Sequence, residues 1–102
     1  MGVSGEKKAA IARRLLISGR VQGVGYRYNM QQQATRLGLM GWCRNLPDGR
    51  VEAEVYGCPQ QVEALIEWAQ RGPSGAIVDA VAQTDLPSLE AFKTLQAFEI
   101  RH

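Results

Sequence analysis

Histidine is almost absent from this sequence: the single copy, His102, is the last of 102 residues, where the chain is expected to fray. No Ser/His/Asp set and no Cys/His pair can be built around it. Cysteine is nearly as scarce. Cys43 and Cys58 stand too far apart for a metal-binding CxxC pair, and two cysteines in a chain able to form a core do not make a disulfide scaffold. No cluster of His, Cys, Asp and Glu recurs at metal-ligand spacing, so no metal and no cofactor is expected. No apolar run approaches the ~18 residues of a membrane span. Residues 1–10 lack the apolar centre of a signal peptide. These absences lead us to expect a soluble, cytoplasmic protein with no membrane partner.

Charge of either sign is also limited. Twelve Lys and Arg against ten Asp and Glu leave a net charge of +2, too weak to argue for nucleic acid. The distribution is uneven: Lys7, Lys8, Arg13, Arg14, Arg20 and Arg27 fall within residues 7–27 without an acid among them. That pattern fits a basic tail and solvated strand-face arginines, or an electropositive rim that draws in anions. The length is that of one domain, and 45% hydrophobic with 22% charged residues is an ordinary globular balance. We expect a flexible tail over residues 1–11 and one domain over 12–102, acting as a monomer.

Periodicity gives the elements. In residues 13–21, Leu15, Ile17, Gly19 and Val21 alternate with Arg14, Ser18 and Arg20, which predicts a strand. Residues 22–25, QGVG, form a tight loop. From Tyr26 the period changes: Tyr26, Met30, Ala34 and Leu37 recur at helical spacing, and Gly38 stops the helix. Residues 40–45 predict a second strand and 50–56 a third, joined through Leu46-Pro47-Asp48-Gly49 as a β-hairpin. Pro59 suits the start of a second helix whose apolar stripe is Val62, Leu65, Ile66 and Ala69, ended by Gly72-Pro73. Residues 77–83 predict a fourth strand, 84–96 a polar irregular stretch, and Phe98–Arg101 a short last strand. The order β-α-β-β-α-β with a terminal strand implies an α+β, ferredoxin-like sandwich: two helices on one face of a four- to five-stranded, mostly antiparallel sheet, first and third strands central. Such a fold says nothing about activity.

The stretch Gly19-Arg20-Val21-Gln22-Gly23-Val24-Gly25-Tyr26-Arg27 carries the chemistry. A strand runs through a glycine loop into a helix start, where backbone N–H groups can converge on an anion and the helix adds its positive dipole end. Arg27, in the first turn, supplies a planar fork suited to a phosphoryl group. The same glycines could serve only a tight turn. Asn45, at the end of the second strand, could be a turn residue, or its amide could hold a water and a phosphoryl oxygen together. Glu52 and Glu54 read as exposed strand carboxylates. Cys43 reads as a small buried hydrophobe, Trp42 and Trp68 as packing residues, Tyr26 and Met30 as core.

These residues resemble the acylphosphatase family. SGRVQGVGYR at 18–27 is similar to the family's phosphate-binding signature, and GWCRNLPDGRVE at 41–52 to its second signature. RGPSGAIVDAV at 71–81 and FEIR at 98–101 follow the same pattern, so the likeness covers residues 13–101. It implies hydrolysis of the carboxyl-phosphate bond of small acyl phosphates to carboxylate and inorganic phosphate, without a metal. It also implies that Arg27 and the backbone N–H groups of Gln22, Gly23, Val24, Gly25, Tyr26 and Arg27 bind the phosphoryl group, while Asn45 orients the attacking water. The sequence departs mildly, with Tyr26 where Phe is common and Cys43 where Val is common. Chemistry agrees with the resemblance: a carboxylate leaves without protonation, so positioning and positive dipoles suffice. A non-catalytic anion-binding module would use the same loop but would not need Asn45. An RNA-binding sheet would need aromatics that the first strand lacks and the third has only in Tyr56.

Overall fold

The computed structural model describes residues 9–87 and 90–102. In chain order the elements are β1 (Ile11–Arg20), α1 (Tyr26–Arg36), β2 (Met40–Asn45), β3 (Val51–Gly57), α2 (Pro59–Ala69), β4 (Ile77–Asp85), a short 3-10 turn (Glu90–Phe92) and β5 (Phe98–Arg101). One five-stranded sheet has the order β4-β1-β3-β2-β5, antiparallel except for the parallel β2–β5 pair. The expected ferredoxin-like α+β sandwich is what forms. β1 and β3 are interior neighbours, and β5, added beyond β2, makes β2 interior as well. The first eight residues of the expected 1–11 tail lie outside the described residues. Among the described residues, no helix is long and apolar enough to cross a membrane.

The core lies between the sheet and the helices. Leu15 and Ile17 of β1, Val51, Ala53 and Val55 of β3, and Cys43 of β2 meet Tyr26, Met30 and Ala34 of α1 and Val62, Leu65, Ile66 and Ala69 of α2. Burying one such side chain as large as leucine contributes about 1.5–3 kcal/mol. The helix stripes are those the 3.6-residue period predicts. The α1 stop is also as expected: Gly38 takes φ 73°, while its N–H donates to Thr35 and that of Leu39 to Ala34, the paired bonds that close a helix end.

The stretch 84–96 differs from expectation. β4 runs on to Asp85, and Phe92 and Leu95 are buried. They form a second, smaller cluster with Ala12, flanked by Met40, Trp42, Tyr56 and Leu86, on the sheet face away from the helices. Tyr56 stacks on Phe92 with ring centroids 5.4 Å apart. The segment carries Leu86, Leu89, Phe92 and Leu95 at every third residue, a spacing that fits neither a strand nor a full α-helix, and Leu86, Phe92 and Leu95 pack on the sheet.

Glu52 is the second correction. It is buried, at 4% exposure, rather than an exposed strand carboxylate. Strands on both sides of β3 supply its partners: Arg14 of β1 at 2.6 Å and Arg44 of β2 at 2.7 Å. Burial pushes the Glu52 carboxyl up, but hydrogen bonds and charge from Arg44 and Arg14 outweigh it and hold the group below its ordinary range. Glu54 is partly buried on the same strand.

Candidate active site

The site is built where β1 passes into α1. Gly23 and Gly25 adopt φ of 77° and 81°, in the left-handed region that side chains resist. Gly25 is the helix N-cap, and among the described residues no side chain caps that end or places an acid in its first turn. The first turn of α1 therefore sets no carboxylate of its own against the terminal N–H groups and the positive end of the dipole. Asn29 holds the turn from below, its amide donating to the Gly25 carbonyl at 2.8 Å.

Each expected residue has a definite place. Arg27 is half-buried on the first turn of α1 and donates from Nη1 to the Arg101 carbonyl at 3.3 Å. Asn45 ends β2, opposite Val51. Beyond it the turn closes with Leu46 N–H donating to Arg50 at 2.8 Å, and Asp48 accepts from the Arg50 backbone and guanidinium. Gln22 joins the two halves: its Nε2 donates to the carbonyls of Leu46 at 2.8 Å and Arg50 at 3.0 Å. Val24 turns inward and packs on the core. The Tyr26 ring is buried, and its hydroxyl donates to the Ala69 carbonyl at 2.7 Å, so a phenol is accommodated where phenylalanine would leave that carbonyl unpaired. Burial raises the hydroxyl's pKa, keeping it neutral.

Gly23, Gly25, Arg27 and Asn45 line one cleft of about 360 Å³. Four other residues of its wall were not expected from the sequence: Val21, Tyr28, Ile100 and His102. The parallel pairing of β5 on β2 brings the chain's last residues there, with Cys43 opposite Ile100 and Arg44 opposite Arg101. Trp42 fixes that end, its ring lying under the guanidinium of Arg101 at 4.9 Å and beside that of Arg44 at 5.5 Å. Beneath Arg27 sits Cys43, fully buried, its Sγ 3.8 Å from the Arg27 carbonyl. Burial pushes its thiol up to about 12 although the Arg27 charge pulls the other way, so it stays protonated and unreactive. A larger groove of about 460 Å³ runs along α2 and β4, but Glu63, Glu67 and glutamine amides line it, a poor setting for an anion. Among the described residues no group of three or more His, Cys, Asp or Glu could hold a metal ion.

The arrangement can bind a small anion at the helix start, grip it with a guanidinium, and present a neutral amide beside it. The acylphosphatase family model matches residues 13–100. A relative from Marinobacter nauticus called acylphosphatase is 55% identical over 78 residues, 76% of this chain and 85% of that protein. Another of that name, from Acaryochloris marina, is 53% identical over 90 residues, 88% of this chain and 92% of that one. The crystal structure of the Bacillus subtilis acylphosphatase superposes with a TM-score of 0.83 at 33% identity, covering 90% of this chain and 99% of that one.

Proposed function

The chain belongs to the acylphosphatase family and is an enzyme that hydrolyses acyl phosphates; from that premise we propose that it cleaves the carboxyl-phosphate bond of small acyl phosphates without a metal or cofactor, Arg27 and the 22–27 backbone holding the phosphoryl group and Asn45 positioning the water. One observation carries the reading: Arg27, the left-handed glycines of the loop and Asn45, 18 or more residues away along the chain from all of them, line the same cleft.

The chemistry follows from these groups. The guanidinium and converging N–H groups stabilise the three equatorial oxygens as charge spreads over them in a loose transition state. The Asn45 amide accepts a hydrogen bond from a water through its carbonyl oxygen and donates through its NH₂, which fixes that water in line with the bond to be broken. The leaving carboxylate is stable as an anion and needs no acid. We propose further that it acts as a monomer. Trp42 and Tyr56 are packed against the cluster of Ala12, Phe92 and Leu95 rather than free to stack on bases, which supports the absence of a nucleic-acid partner. Both cysteines are free thiols, consistent with a reducing cytoplasm.

The test is release of inorganic phosphate from acetyl phosphate and benzoyl phosphate by purified enzyme, in buffer and in excess EDTA. Turnover unchanged by chelation is expected. A loss of rate restored by a divalent ion would overturn the metal-free reading. Phosphate binding without turnover would favour an anion-binding module.

A further inference from the structure

Two large hydrophobic side chains are exposed among the described residues, Ile77 on the edge strand and Tyr28 at 60%. Tyr28 is the one that lines the cleft, directly after Arg27 on α1. Exposing an aromatic ring costs an apolar surface its burial, so a ring left open beside a binding arginine invites a ligand group to cover it. The other apolar parts of the wall narrow the choice. Val21 and Tyr26 are buried at 1% exposure and have little surface to offer, whereas Ile100 is partly open. Tyr28 and Ile100 thus supply the accessible apolar part of the lining, and Gly23, Gly25, Arg27 and Asn45 the polar part.

An acyl phosphate has the same two-part character. In-line attack puts the leaving carboxylate on the far side of phosphorus from the water, so the acyl group extends away from the amide of Asn45. We propose that Tyr28, with Ile100 beside it, is the acyl-group subsite and makes the enzyme select aromatic or bulky apolar acyl phosphates over acetyl phosphate. This rests on the acyl phosphate reading above. His102 also lines the cleft.

The experiment compares kcat/KM for benzoyl phosphate and acetyl phosphate in the wild type, Tyr28→Ala and Tyr28→Phe, with inhibition by inorganic phosphate measured on each. Tyr28→Ala should lower the benzoyl-to-acetyl ratio roughly tenfold, mainly through a higher KM for benzoyl phosphate. Phosphate inhibition should hardly move, and Tyr28→Phe should keep the ratio. Because the side chain is exposed, loss of fold is not expected, and circular dichroism checks it. An unchanged ratio in Tyr28→Ala, or an equal fall for both substrates, overturns the subsite. Wild-type enzyme that hydrolyses neither substrate would instead overturn the underlying reading, so the two failures are distinguishable.

Discussion

The side-chain amide of Gln22 donates to the backbone carbonyl of Leu46 at 2.8 Å, tying the loop that precedes α1 to the turn that follows Asn45. A second bond, to Arg50 at 3.0 Å, makes the tie two-pronged. The groups proposed to hold phosphorus and water sit on different elements, and this cross-link sets the distance between them. Gln22→Ala should therefore lower kcat about tenfold through loosened positioning. Thermal unfolding should report a loss of only about 1–2 kcal/mol, the worth of two ordinary hydrogen bonds. A stability loss without a change in kcat would show the tie to be merely structural.

Arg27 and Asn45 should fail differently. Arg27→Lys keeps the charge but loses the planar fork, so both phosphate inhibition and turnover should weaken. Asn45→Ala leaves the loop and Arg27 in place, so phosphate affinity should be nearly preserved while kcat drops about 10²-fold or more. Inhibition constants measured beside kcat for each variant make the comparison. Normal turnover in Asn45→Ala would reduce Asn45 to a turn residue.

Glu52 should govern acid stability. Its folded pKa lies below the unfolded value, so the stabilisation is present above that value and is lost as pH falls through the folded one. Glu52→Gln should destabilise the protein at pH 7 by about 1–2 kcal/mol, less than for a fully enclosed ion pair because Arg14 and Arg44 remain partly in water. The gap from wild type should shrink as pH falls below the ordinary glutamate value of about 4.3, where the unfolded chain takes up a proton that the folded one does not yet bind. Denaturant midpoints at pH 7 and pH 3 supply the measurement.

The two cysteines should react at different rates. Cys58 is exposed at the start of α2 and Cys43 buried under Arg27, its pKa raised to about 12. A thiol reagent at pH 8 should modify one group per folded chain quickly, and two in denaturant. β2 and β3 pair Cys43 with Ala53, five residues from Cys58, which places a disulfide out of reach. Two fast equivalents in the native protein would mean that β2 is not held in the core.

Strong periodicity made most of the fold readable. The stripes Tyr26-Met30-Ala34 and Val62-Leu65-Ile66-Ala69, the glycine stops and the hairpin turn all depend on neighbours in sequence, and each lies where its spacing predicts. The pairing of Cys43 with a residue near 53 followed from the turn alone. What escaped depends on contacts distant in sequence. Glu52 has the spacing of any solvent-facing strand carboxylate, and only the placement of β1 and β2 on either side of it brings two arginines to cover it. Phe92 and Leu95 belong to a spacing of three with Leu86 and Leu89, which matches neither the strand nor the α-helix period, and what they cover is the far face of a sheet formed by distant residues. Ile100 and His102 belong to the cleft only because β5 pairs in parallel with β2, which local residues cannot announce. The loop and the place of Arg27 were visible because the glycines stand where a strand period gives way to a helix period; the same glycines would also serve a plain tight turn.

His102 lines the cleft beside Arg27, whereas Ile11 begins β1 at the strand's opposite end, about 30 Å from the loop for ten residues at roughly 3.3 Å each. The two ends of the described chain are therefore unequal places to attach anything. A purification tag joined after His102 would leave from inside the cleft, and a polyhistidine or acidic one would compete with an anionic substrate for the same guanidinium. Joined ahead of β1, it would be tethered about 30 Å from the opening. Immobilisation, fluorescent labelling and fusion for expression face the same choice, and the amino-terminal side is the one to use.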